Sequence, residues 1–146
     1  MYKRQLLVVD DDEAPTLGHV LASALDEAGV AVFPAALSGT SSAEARSRFR
    51  ALAGARERRL VVIGCQTRAW KERPGLAPEL AREVRALPSE GTQVIALCGP
   101  YAVAGLARER GLLVAYGDAP AAERAAARVL LGQEDAPGRL PLELGS

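Results

Sequence analysis

The feature that most constrains this chain is a set of short β-branched runs without alternation, each separated from the next by a longer Ala/Leu/Arg-rich stretch. Leu6-Leu7-Val8-Val9, Val30-Ala31-Val32-Phe33, Leu60-Val61-Val62-Ile63, Thr92 to Leu97 and Leu112-Leu113-Val114-Ala115 are the runs. A strand that faces water on one side alternates apolar with polar residues; these do not, so both faces must be covered. Parallel strands linked by crossover helices meet that demand. The expected fold class is therefore α/β: a three-layer, doubly wound, mostly parallel sheet of five or six strands with helices on both faces. The intervening stretches read as helices. The first is opened by Pro15 and stopped by Gly29. Others run over 43–58 with Ser41 or Ser42 as cap, 76–87, 101–110, and 119–131, with Pro120 in the first turn of the last and Gly132 just past its end.

With 146 residues the chain fits one domain. The opening Met1-Tyr2-Lys3-Arg4-Gln5 adds nothing to the apolar strand that follows and reads as a non-native leader. The single α/β domain is then expected over 6–146, as a piece of a longer protein. Eighteen Lys plus Arg balance eighteen Asp plus Glu. That balance argues against a nucleic-acid partner, which selects a basic face. No apolar run approaches the ~18 residues of a membrane span, and Leu6–Val9 is too short for a signal-peptide core. Cys65 and Cys98 each follow a strand; two thiols without other ligands make neither a disulfide framework nor a zinc site. No metal or other cofactor is expected. His19 falls in a helical stretch, which leaves little for nucleophilic catalysis.

Ligands of open α/β sheets gather at the carboxyl ends of the strands. The first such loop is Asp10-Asp11-Asp12-Glu13. Adjacent carboxylates suit either a hard cation or the first turn of a helix. Leu7-Val8-Val9-Asp10-Asp11-Asp12-Glu13 followed by an amphipathic helix resembles the opening of response-regulator receiver domains. Those require an Asp after the third strand, a Thr or Ser after the fourth and a Lys after the fifth. Here stand Gly64-Cys65-Gln66, Cys98-Gly99-Pro100 and Tyr116-Gly117-Asp118. A receiver reading is left only as a degenerate, non-phosphorylated interaction domain. The loop after the third strand carries Arg68, Trp70 and Glu72 as substrate-facing candidates. Trp70 could stack on a sugar or another chain, or cap the core. Glu72 could act as an acid, but glycoside hydrolysis normally needs two carboxylates.

The tail, Ala136-Pro137-Gly138-Arg139-Leu140-Pro141-Leu142-Glu143-Leu144, cannot continue as helix. Its alternating leucines suit an extended segment along the domain or on a neighbour. Taken in order, Leu60–Gly64, Gly91–Tyr101 with its Gly99-Pro100-Tyr101, Val114–Pro120, Ala126–Gly132 and Pro137-Gly138-Arg139-Leu140-Pro141 resemble the C-terminal domain of glycoside hydrolase family 3, especially its β-N-acetylhexosaminidase branch. The ending, Gly132 through Gly138-Arg139-Leu140-Pro141, is the most specific part. The resemblance implies a parent with an upstream (β/α)8 barrel that carries the catalytic residues and binds the carbohydrate. This chain would be an accessory domain, with no catalytic residue except Glu72 as the nearest candidate for the acid that one branch lends from this loop. Ala102 departs from the Asp that often follows Pro-Tyr in the family.

Overall fold

The computed structural model describes residues 2–12, 16–66, 69–73, 75–106 and 111–139. Five strands form one sheet in the order β2-β1-β3-β4-β5, and every neighbouring pair is parallel. They are β1 (Tyr2–Asp10), β2 (Val30–Ser38), β3 (Arg59–Gly64), β4 (Thr92–Ala96) and β5 (Gly111–Val114). Among the described residues four α-helices join and flank them: α1 (His19–Glu27), α2 (Ala43–Gly54), α3 (Pro78–Arg85) and α4 (Pro120–Leu130).

The alternation of side chains along a strand sorts the core into two layers. Leu7, Val9, Val61, Ile63, Val94 and Ala96 pack against Phe49 and Ala53 of α2 and Leu80 and Val84 of α3. Leu6, Val8, Leu60, Val62, Ile95 and Leu97 pack against Leu21 and Leu25 of α1 and Ala126 and Ala127 of α4. Each residue of Leu60–Ile63 in central β3 is fully buried, worth roughly 1.5–3 kcal/mol per side chain. This is why the run reads apolar without alternation. The expected three-layer α/β fold is present, with five strands among the described residues. Whether the tail adds a sixth falls on 140–146, outside those residues.

Several boundaries differ from expectation. β1 begins at Tyr2, so residues 2–5 belong to the strand, paired with Val30–Phe33. The side chain of Gln5 is buried and donates to the Phe33 carbonyl. β2 runs on through Pro34 to Ser38. It is an edge strand, where a proline's missing N–H forfeits no ladder bond if it faces away from the sheet. α1 starts at His19, after Gly18 in the left-handed conformation (φ 83°), and not at Pro15, which lies outside the described residues. α2 ends at Gly54, four residues short of the expected end. Its start is as read: Ser42 Oγ accepts from the Ala45 N–H at 3.1 Å. The stretch after β4 is a 3₁₀ turn, Pro100–Val103, in place of a longer helix; residues 107–110 are outside the described set. Gly132 follows α4 with φ 72°, the left-handed stop that glycine supplies.

Candidate functional site

The carboxyl ends of β1 and β3 adjoin, which brings the acidic loop against the loop after β3. Asp10 is buried, and its Oδ1 accepts from the Asp12 N–H at 2.8 Å, closing a tight turn. That turn points Asp11 and Asp12 at residues 66–77. Lys71 reaches back between them, 2.9 Å from Asp11 and hydrogen-bonded to Asp12, with its side chain only 3% exposed. Its third bond goes to the Gln66 carbonyl at 3.0 Å, so all three ammonium donors are satisfied. Arg73 grips Asp11 through one nitrogen at 2.8 and 2.9 Å. Asp11 also accepts from the Ala77 N–H at 3.1 Å, and Asp12 from the Gln66 N–H at 2.6 Å.

These contacts replace both sequence readings of the carboxylates. They are not in a helix first turn, since α1 begins seven residues later. Asp11 and Asp12 are held by Lys71 and Arg73, and the described residues contain no cluster of three or more His, Cys, Asp and Glu arranged to hold a metal. Burial pushes the Asp11 carboxyl up, but the Lys71 bond, the Ala77 N–H and Arg73 outweigh it, and the net shift is down. Burial pushes Lys71 down, yet its bonds to Asp12 and Asp11 hold it above its ordinary value. The quartet is two anions and two cations, a neutral clasp tying the β3–α3 loop to the end of β1.

The clasp determines what the loop shows to solvent. Ala69–Lys71 is a 3₁₀ turn, and Glu72 follows in the left-handed region at φ 53°. Lys71 turns inward; Trp70 and Glu72 on either side of it are exposed, Trp70 at 72%. Trp70 therefore does not cap the core. Arg68 lies outside the described residues. Beyond β5, Asp118 accepts from Gln66 Nε2 at 3.0 Å, linking the third-strand loop to the fifth. Burial, then the charge of Asp11, pushes the Cys65 thiol up to about 11; burial, then Cys65, pushes Cys98 up to about 12.

A second contact across the sequence ties α4 to α1. The buried Glu123 accepts from the Gly18 N–H, so it caps a helix whose own N-cap has no side chain. Burial raises its pKa, against the backbone bonds from Gly18 and Val20. His19 is exposed at the start of α1. It lies on the rim of a mostly apolar cavity of about 600 Å³ under β2, lined by Val8, Leu17, Pro34 and Ala36.

The family-motif positions have separate roles. Pro100 is buried at the start of its 3₁₀ turn, and Tyr101 beside it is 59% exposed. Ala102 is buried in the core, where an Asp would be an uncompensated charge. Gly138 and Arg139 line a cavity of about 500 Å³ against β5 and α4. Leu140 and Pro141 lie outside the described residues.

A β-N-acetylglucosaminidase of glycoside hydrolase family 3 from Paenibacillus sp. str. FPU-7 matches over 97% of this chain, with TM-score 0.74 and 25% identity. The likeness is to glycoside hydrolase family 3. The match spans 27% of the Paenibacillus chain, so this chain corresponds to about a quarter of that enzyme. A fungal multi-domain family 3 β-N-acetylglucosaminidase, described for its GCN5-related glucosamine N-acetyltransferase region, matches over 98% of this chain and 16% of its own. Its TM-score is 0.67, and at 18% identity it speaks to the fold alone. No protein-family model and no curated protein matches the sequence. The chain thus resembles one region of longer family 3 enzymes, as its Gly-Arg-Leu-Pro ending implies. Among the described residues no helix is long and apolar enough to cross a membrane.

The clasp itself was missed by sequence reading. Its signal was faint: a lysine between a Trp and a Glu in a loop, 59 residues from the carboxylate it bonds.

Proposed function

We propose that this chain is the C-terminal accessory domain of a family 3 glycoside hydrolase, packed on a (β/α)8 barrel that performs the chemistry. The parent hydrolyses terminal β-linked sugars, β-N-acetylglucosaminides first among them, by a retaining mechanism. The observation that carries this reading is the match along 97% of the chain to a quarter of a family 3 β-N-acetylglucosaminidase. The chemistry at the strand ends supports it. Retaining hydrolysis needs two carboxyl groups about 5–5.5 Å apart and free to act, and Asp11 and Asp12 are committed to Lys71 and Arg73. Glu72 is then the acid the loop has to offer, and alone it makes no hydrolase. The 146-residue chain should show no turnover of nitrophenyl β-N-acetylglucosaminide. The gene upstream should encode a barrel; a stop codon in frame immediately before Met1 would sink the reading. In the complete enzyme, Glu72→Gln lowers kcat at least a hundredfold if Glu72 is the acid and leaves it unchanged if the barrel supplies one. The same upstream sequence tests whether residues 1–5 are foreign to the protein.

One observation favours a second reading. The strand order 2-1-3-4-5 is shared by flavodoxin-like and receiver domains. Against phosphoryl chemistry stands Gly64 at the end of β3, where a Cβ would meet Leu17 Cδ2 at 2.4 Å and Asp10 Oδ1 at 3.1 Å. A receiver-like interaction domain would recover a histidine kinase in a pulldown; a family 3 domain would not.

A further inference from the structure

The two cysteines of this chain follow neighbouring strands. β3 and β4 are parallel, and their last registered pair is Ile63 with Ala96. The pairing runs one step further, because the Leu97 N–H donates to the Ile63 carbonyl at 2.9 Å. Two residues beyond Ile63 and Ala96 stand Cys65 and Cys98. Residues two apart along a strand share a face, and Ile63, Cys65, Ala96 and Cys98 all lie in the core layer of α2 and α3. The cysteines are thus matched in register and turned to the same side. Neighbouring strands are about 4.8 Å apart, inside the roughly 4.4–6.8 Å between Cα atoms that a disulfide spans.

Cys98 leans toward β3. Its Sγ lies 3.7 Å from the Ile63 carbonyl oxygen. The Cys65 N–H faces the Cys98 sulfur, and the two thiols act on each other's charge. Other uses of the pair are closed off. Asp11 Oδ2 is 3.8 Å from Cys65 Sγ, but Asp11 is committed to Lys71 and Arg73. No third ligand completes a metal site among the described residues. Both thiols are buried, and burial holds them above their ordinary value, so neither serves as a nucleophile while the fold is closed. The chemistry left to each thiol is the other.

We propose that Cys65 and Cys98 are a disulfide-forming pair, closed when the chain folds in the presence of a small disulfide such as glutathione disulfide. One cysteine attacks the reagent as its thiolate; a glutathione thiolate leaves and a mixed disulfide forms. The second cysteine thiolate attacks the protein sulfur of that mixed disulfide and expels the other glutathione. Two protein thiols are oxidised by two electrons, the reagent is reduced to two thiols, and the two protein protons end on them. Because both thiols are buried, the first attack belongs to the unfolded chain or to an opening of the strand ends. The same burial shields the finished bond from reductant. The bond would tie the root of the loop that carries Trp70 to the root of the turn that carries Tyr101. It is independent of the function proposed above.

The reduced 146-residue chain, unfolded in urea, should be diluted into buffers of graded reduced and oxidised glutathione, then acid-quenched, alkylated and weighed intact. The expected product is a monomer lighter by two hydrogens and free of alkyl groups, with Cys65 and Cys98 joined in one peptide pair after digestion. The ratio of squared thiol to disulfide at which half the chain is oxidised should be about tenfold higher for the refolded chain than for the chain kept in urea, because the native register holds the sulfurs together. The oxidised chain should also unfold at a higher urea concentration than the reduced one. A refolded chain no easier to oxidise than the unfolded chain would overturn the pair. So would glutathione adducts or intermolecular dimers as the main product, or an oxidised chain with a lower urea midpoint than the reduced chain.

Discussion

Lys71→Met isolates the clasp, because methionine fills much the same space without the charge. In the native protein the Lys71 side chain is 3% exposed and that of Asp11 2%. Removing one partner of a buried pair typically costs 3–5 kcal/mol, since the other charge stays buried. Asp11 would keep Arg73 and the Ala77 N–H, and Asp12 would keep the Gln66 N–H, so the loss should sit at the low end, about 3 kcal/mol. That is a large part of a total stability of about 5–15 kcal/mol. At about 2–4 °C per kcal/mol for a chain of this length, Tm should fall by roughly 6–12 °C. Urea unfolding near neutral pH measures the loss, with m unchanged if the denatured state is unaffected. The pH dependence supplies a second check. The folded pKa of Asp11 is lowered, so its contribution is present above the unfolded value of about 3.9 and is lost as pH falls through the folded one. The folded pKa of Lys71 is raised, so its contribution is complete below about 10.4 and is lost as pH rises through the folded value. The gap between wild type and variant should be widest between about pH 5 and 9 and should close on both sides. A gap under about 0.5 kcal/mol near neutrality, the range of an ordinary surface change, would refute the reasoning. So would a gap as wide in strong acid as at neutrality.

Glu123→Ala should cost about 1–2 kcal/mol in urea unfolding, the range for a lost cap, and Glu123→Gln less, because an amide oxygen still accepts from Gly18. Gly91→Ala should cost roughly 3 kcal/mol or more, since φ is 71° and a Cβ would meet the Glu57 carbonyl oxygen at 2.1 Å. Soluble yield and Tm would show it, and an unchanged Tm would contradict the described turn. With thiols at about 11 and 12, the thiolate share near pH 8 is roughly one in a thousand for Cys65 and one in ten thousand for Cys98. Iodoacetamide should therefore label the native chain far more slowly than the urea-unfolded one, as intact-mass spectrometry would record.

How much of this fold was legible depended on whether the deciding contact was local. Leu60–Ile63 announced a strand covered on both faces because every side chain in it is apolar, and β3 is central. Gly132 marked the end of α4 because the left-handed stop is a property of one residue. The second strand, read as Val30–Phe33, runs on through Pro34 to Ser38, because a proline's effect depends on where the strand lies in the sheet. A proline that breaks a central strand is tolerated at an edge, and the edge position of β2 is set by β1 pairing with β3 on its other side. The stretch after β4 misled for a related reason: Tyr101–Leu106 has helical composition, but Ala102, Val103 and Leu106 are drawn into the α2/α3 core layer over a turn too short for a regular helix.

The acidic loop shows the same limit at the site. Asp10-Asp11-Asp12 suggested a cation or a helix terminus, which supply the compensating charge from solution or from nearby in sequence, while a receiver-like pocket takes it from a Lys after the fifth strand, where this chain has Tyr116-Gly117-Asp118. The compensation comes instead from residues 71 and 73, which only the pairing of β1 with β3 brings into range. Once Lys71 lies between Asp11 and Asp12, the acids no longer serve as ligands. They fix the base of a loop whose outward residues are Trp70 and Glu72. The carboxylates that looked like chemistry are thus the foundation of the loop that presents Trp70 and Glu72 to solvent.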